Sequence, residues 1–280
     1  MYQKILAAVN EHLNSEIAAR YALRLAAACQ AKLYFSFVAE RGLSRSDIES
    51  AERAMKRLFL EARESGIAAE SNTETGEFVQ RLEATVRQER IDLVFASTRR
   101  EDAQKRFYAG SQAQKLSLHL PCSVALVRVV HAGKLHPSRI LAPLKARIDH
   151  IQERVFFTAK IAEAFHSEVW LFHAPAPLKK FFHGEVHLTA PEWEKKLPND
   201  VSEFMKGLED CQIKVTGGLA AAAVGRGIVI EAASRRHDLI IMGASRRSLL
   251  SSWFKGNPVE ELLRAAPCNL IILKPVYEDT

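Results

Sequence analysis

The chain has 280 residues, 48% of them hydrophobic and 26% charged, and carries a formal net charge of +6. These fractions exclude wholesale disorder, and no apolar run approaches the ~18–20 residues of a membrane span. The length suits two domains of about 150 residues, or one large α/β domain, and the default is a cytoplasmic protein.

The predicted elements alternate along the chain. Ile5–Val9 is a short apolar run that predicts a strand. Asn14 or Ser15 can cap the following helix, whose apolar residues Ile17, Ala18, Tyr21, Ala22, Leu25 and Ala26 keep helical spacing. Leu33–Val38 is a second strand, and Ser46 to Ser65 an amphipathic helix that Gly66 ends. Ile67 to Thr75 reads as a strand, Phe78–Arg90 as a helix and Ile91–Ala96 as a strand, apolar throughout as buried parallel strands are. Gly110–Leu118 is a helix and Cys122–Val130 a fifth strand. A Gly- and Pro-containing linker, His131 to Pro137, leads to a second series with strands at Ile140–Leu144, Val169–His173, Gln212–Leu219, Leu239–Met242 and Asn269–Leu273.

The second series repeats the first. Arg90-Ile91-Asp92-Leu93-Val94-Phe95 is matched by Arg236-His237-Asp238-Leu239-Ile240-Ile241, at an offset of 146 that persists through Tyr108 and Phe254 to Pro121-Cys122 and Pro267-Cys268. Lys4-Ile5-Leu6-Ala7 is matched by Arg139-Ile140-Leu141-Ala142 at an offset of 135, so the second half carries a net insertion of 11 residues, which we place at Leu178–Asp200. Alternating strands and helices favour parallel pairing through right-handed crossovers. The expected fold is α/β, with two doubly wound five-stranded parallel-sheet domains over residues 1–132 and 138–280. One continuous sheet, or halves of unlike topology, would count against this reading.

With these residues on the page, each half resembles a universal stress protein domain. The carriers are the strand starts Lys4–Asn10 and Arg139–Leu144, the Asp-Leu strand that runs into Gly243, the long loop from Gly243 to Gly256, and Ala-Pro-Cys before a terminal apolar strand. The resemblance implies a sheet order of 3-2-1-4-5 and a stress-response role. In nucleotide-binding members it implies Gly-x-x-Gly, nine residues, then Gly followed by Ser or Thr, with an Asp after the first strand. Glycines let backbone N–H groups approach phosphate, and a helix N-terminus favours anions.

Carried over residue by residue, the second-half site comprises Pro143, Gly243, Arg246, Gly256 and Asn257, with Lys145 at the Asp position. The first-half site comprises Asn10, Arg100, Gly110 and Ser111, with Ser97 at the first glycine position. Arg100 and Arg246 replace the second glycine. Each adds bulk where phosphate approaches and a cation that suits phosphate in another geometry, or else each is a solvated loop residue. The second half is the leading candidate for ATP or a related nucleotide.

Other chemistry is missing from the sequence. There is no P-loop, dinucleotide fingerprint, nucleophile elbow or zinc-protease motif. No catalytic residue and no metal site is expected, since His183, Glu185 and His187 read better as a polar surface. Phe181, Phe182 and Trp193, among lysines and histidines, read as a lid or partner contact rather than a base-stacking face. Cys29, Cys122, Cys211 and Cys268 read as reduced core thiols. Neither membrane nor nucleic acid is an expected partner, because the positive charge is scattered.

A fifth strand in this order lies at a sheet edge, and an exposed apolar edge invites pairing. Residues 122–130 are therefore expected to face 269–276 within one chain, as an intramolecular pseudo-dimer, with a homodimer of tandem chains left open. The favoured function is a non-catalytic stress-response protein whose contacts with an unknown protein partner are modulated by an anionic ligand at Gly243–Asn257. A ligand-free scaffold is the alternative, and a slow ATP hydrolase ranks last.

Overall fold

The computed structural model describes residues 1–98, 112–173, 197–219, 224–245 and 258–276. The first half runs β1 (Lys4–Ala8), α1 (Leu13–Cys29), β2 (Lys32–Ala39), α2 (Arg45–Glu64), β3 (Ala69–Thr75), α3 (Phe78–Glu89), β4 (Leu93–Ser97), α4 (Gln112–His119) and β5 (Ser123–Arg128). The second runs β6 (Arg139–Leu144), α5 (Ile151–Phe165), β7 (Glu168–His173), α6 (Asn199–Asp210), β8 (Val215–Leu219), α7 (Val224–Ser234), β9 (Leu239–Gly243), α8 (Pro258–Ala265) and β10 (Asn269–Lys274).

Local chemistry sets several boundaries. Asp47 and Ser44 form a reciprocal capping box at the start of α2, and Gly66, at φ +71°, takes the left-handed conformation that stops it. The expected cap of α1 is corrected. The helix starts at Leu13 after His12, and neither Asn14 nor Ser15 caps it. Ser15 Oγ instead donates to the backbone oxygens of Asn10 and His12 and accepts from Asn10 N–H, so it ties the β1–α1 loop together. The strand expected from Gln212 begins at Val215, because Gln212 is left-handed and Ile213 N–H bonds back to Leu208 O to close α6.

The repeat extends to individual hydrogen bonds. Asp92 accepts from the N–H groups of Gln3 and Lys4 at 2.7 and 2.8 Å, and Asp238 from those of Ser138 and Arg139 at 3.1 and 3.2 Å. The Asp of each Asp-Leu motif thus clamps the start of its half's first strand. Lys32 pairs opposite Lys4 as Glu168 does opposite Arg139, whereas left-handed Gly66 corresponds to Gln212. One inserted residue therefore precedes β7 and ten lie between β7 and the end of α6. Residues 174–196, most of the expected insertion with its His and aromatic residues, lie outside the described residues.

The strand order is β3-β2-β1-β4-β5-β10-β9-β6-β7-β8. Each half keeps 3-2-1-4-5, but the two sheets are not separate. The fifth strands pair antiparallel, from Leu270 opposite Arg128 to Lys274 opposite Val124, and merge them into one ten-stranded sheet. Edge pairing and sheet continuity are one event, so the expectation of separate sheets is corrected while the likeness of the halves stands.

Equivalent residues cross this seam in pairs. Val276 N–H donates to Ser123 Oγ at 2.9 Å, and Val130 N–H to Asn269 Oδ1 at 2.8 Å. Lys274 Nζ donates to the carbonyls of Leu120 and Cys122 after α4, and Arg128 to that of Arg264 in α8. Each pair is related by the offset of 146. The two cations sit at helix C-termini, where the macrodipole favours them.

One face of the sheet is covered by α1, α2, α5 and α6, the other by α3, α4, α7 and α8. The first layer is continuous across the seam. Phe157 of α5 stacks on Phe95 of β4 at 6.1 Å, and Tyr2 meets Phe156 edge-on at 5.6 Å. Phe95 and Phe157 are fully buried, each worth roughly 1.5–3 kcal/mol relative to exposure. The outer strand β3, Ala-Glu-Ser-Asn-Thr-Glu-Thr, is polar and largely exposed, as a protected edge requires. No helix among the described residues is long and apolar enough to cross a membrane.

Candidate functional site

In this strand order the loops diverge between the first and fourth strands of each half, where open α/β sheets hold ligands at strand C-termini. The antiparallel seam puts the two such places at opposite ends of the strands.

In the second half, β6 and β9 bring Pro143 and Gly243 to the same strand ends, and Lys145 stands exposed just beyond β6. Sequence reasoning missed Arg154, in the first turn of α5. Its guanidinium packs onto Gly243 so closely that a Cβ there would lie 2.3 Å from Cζ and 2.4 Å from the nearest terminal nitrogen. Gly243 thus leaves open the space in which the guanidinium lies against the strand end. The signal was the internal alignment, in which the first half carries Ala19 at this place at the offset of 135. Arg246, Gly256 and Asn257 lie outside the described residues.

In the first half, Asn10 Oδ1 accepts from His12 N–H at 3.0 Å, an Asx turn that shapes the β1–α1 loop. Arg100, Gly110 and Ser111 lie outside the described residues. The same strand ends hold a set that the motif did not point to. Among the described residues, Ser36 Oγ on β2 and Thr98 Oγ1 after β4 are buried without a hydrogen-bond partner, as is Gln112 Oε1 at the start of α4. Gln112 Nε2 donates to Glu40 at 3.2 Å. Ser36 alternates with Tyr34, and Thr98 with Ala96, so both hydroxyls face the α3/α4 layer. A buried hydroxyl without a partner costs about 1–3 kcal/mol, which a polar ligand or water offsets. Their second-half equivalents, Phe172 and Ala244, are apolar and buried.

The cysteines are corrected in part. All four are free thiols; Cys122 and Cys268 are buried, Cys29 is half-buried, and Cys211 is exposed at the end of α6. Burial pushes Cys122 and Cys268 up to about 12, which leaves them protonated and poor nucleophiles at neutral pH. Among the described residues no group of His, Cys, Asp and Glu is arranged to hold a metal ion.

The universal stress protein family matches residues 1–128 and again 139–274. A universal stress protein of Archaeoglobus fulgidus DSM 4304 is similar at 16% identity and a TM-score of 0.63, with 98% of this chain and 96% of that one covered. A functionally unknown protein of Pseudomonas aeruginosa PAO1 is similar at 19% identity and 0.61, with 98% and 93% covered. The cytoplasmic domain of a prokaryotic cation chloride cotransporter is similar at 12% and 0.60, with 98% and 95% covered. At these identities the structural likeness shows the fold alone, and one fold serves many roles. No curated protein sequence matches the chain.

Proposed function

This chain belongs to the universal stress protein family, and from that premise we propose that it is a non-catalytic stress-response protein whose contacts with a partner protein are modulated by a small anionic ligand. ATP or a related nucleotide is the leading class, and the place is the second-half strand end at Gly243. The observation that carries this reading is the Arg154 guanidinium against Gly243. It sets a cation beside the backbone where the family's nucleotide-binding members hold phosphate, and Lys145 adds to the positive field.

A second reading puts the ligand in the first half. It is favoured by the partnerless Ser36 and Thr98 hydroxyls, which suit the polar rim of a sugar or base better than a phosphate.

Calorimetry with ATP, ADP and AMP separates the two. The first reading expects Arg154→Gln to weaken binding about tenfold or more while Thr98→Val leaves it unchanged. The reverse pattern supports the first-half site. No heat with any nucleotide would reject the ligand and leave a scaffold.

A further inference from the structure

The first turn of α5 carries two neighbouring side chains that engage different halves of the molecule. Arg154 lies against Gly243 at the end of β9. Glu153 turns to the first half, where its Oε1 accepts from Tyr2 Oη at 2.8 Å and from Ser123 Oγ. Both donor residues are buried, at 4% and 1% exposure. Tyr2 stands just before β1, its ring edge-on to Phe156 and Phe157 of α5, and Ser123 opens β5. The seam brings these places together. Gly243 pairs with Leu273 and Lys274 with Val124, so the end of β9 and the start of β5 flank the end of β10.

Each hydroxyl has one proton to give, and each gives it to Glu153. Ser123 Oγ already accepts from Val276 N–H at 2.9 Å, which turns its own proton to the carboxylate. Burial, and after it the Glu153 charge, push the Tyr2 hydroxyl well above its usual range, so it stays protonated. Successive residues of a helix stand about 100° apart, so holding one of them sets where the next one points. The first half lacks every part of this arrangement. At the offset of 135, Glu153 and Arg154 correspond to Ala18 and Ala19, and Tyr2 to Pro137. The cation and its anchored neighbour are present together in one half and missing together from the other.

We propose that Tyr2 and Ser123 are positioning residues of the second-half anion site: through Glu153 they set the turn that aims Arg154 at the strand end. This rests on the reading of Gly243 as that site, and adds that the first half completes it. A guanidinium already held in place loses less freedom when an anion arrives, and so binds it more tightly.

The test uses the full chain and reads Arg154 directly, through the NMR order parameter of its Nε–H without any ligand. That order is expected to fall clearly in the Tyr2→Phe/Ser123→Ala double variant, which loses both hydroxyls while the aromatic ring at position 2 stays packed. An order parameter unchanged from wild type would overturn the proposal. Calorimetry with ATP is the second measurement. The double variant is expected to bind about three- to tenfold more weakly, the effect of one long side chain left loose. In an Arg154→Gln background the same two changes are expected to have no further effect, whereas a general loosening of the fold weakens binding equally in both backgrounds. Equal weakening in both would overturn the proposal. An ATP affinity that Arg154→Gln leaves unchanged would instead reject Gly243 as the site, and the ligand-free order of Arg154 would still decide whether Tyr2 and Ser123 position it.

Discussion

Replacing Asn269 with Ala tests the seam at its most enclosed polar residue, which has no exposed surface. Its Oδ1 accepts from the N–H groups of Val130 and His131 at 2.8 and 3.0 Å, and its Nδ2 lies 3.2 Å from Tyr21 Oη and 3.2 Å from Lys134 O. Alanine removes all of these and strands two backbone donors. A buried donor left unpaired costs about 1–3 kcal/mol, and water from the exposed linker can reach the His131 side, so we expect a loss of about 2–4 kcal/mol. For a chain of this size that lowers Tm by roughly 3–7 °C. Asn269→Ser restores one acceptor, as Ser123 provides at the equivalent place, and should recover about 1 kcal/mol. Urea denaturation followed by circular dichroism reads both. A loss under about 0.5 kcal/mol for the alanine variant would refute the reasoning, because a seam held by this residue cannot lose it so cheaply.

His237 is buried, neither ring nitrogen has a hydrogen-bond partner among the described residues, and desolvation, helped by Arg139 and Arg235, pushes its pKa down to about 4. The unfolded chain therefore binds this proton first, and stability is lost as pH falls from about 6.5 towards 4, by up to about 3 kcal/mol. His237→Ile, the counterpart of Ile91, should gain stability over wild type across that window; parallel melting curves from pH 7 to 4.5 would contradict this. Asp92→Asn and Asp238→Asn should each cost about 1 kcal/mol, as structural clamps do, and their effects should add within about 0.5 kcal/mol because the antiparallel seam puts them at opposite ends of the strands. A double variant with strong coupling would count against independent clamps.

Much of the fold was legible because the chain states it twice. Asp92 and Asp238, or Arg128 and Lys274, do the same work at a constant offset, and apolar runs such as Leu93–Ala96 and Leu239–Met242 can only be buried strands. Boundaries failed where a side chain had two uses. Ser15 carries a capping group, yet its hydroxyl bonds backward to Asn10 and His12. Gln212 continues a strand pattern, but the closing turn of α6 claims it.

The site was less legible, because motif positions mark where a family puts its ligand and not what replaces the missing pieces. Arg154 reaches Gly243 from another element, and Ser36 and Thr98 become a set only when β2 and β4 lie on either side of β1. Neither relation has a spacing in the sequence.

Native-state hydrogen exchange tests the central architecture most directly, because amides of a buried central strand open only with the global transition whereas those of an edge strand fray. Two modules fused edge to edge predict that amides at 124–128 and 270–274 exchange as slowly as those of β1 and β4. Exchange at both segments as fast as in β3, the exposed outer edge, would mean that the fifth strands are free and that the halves are not joined as described.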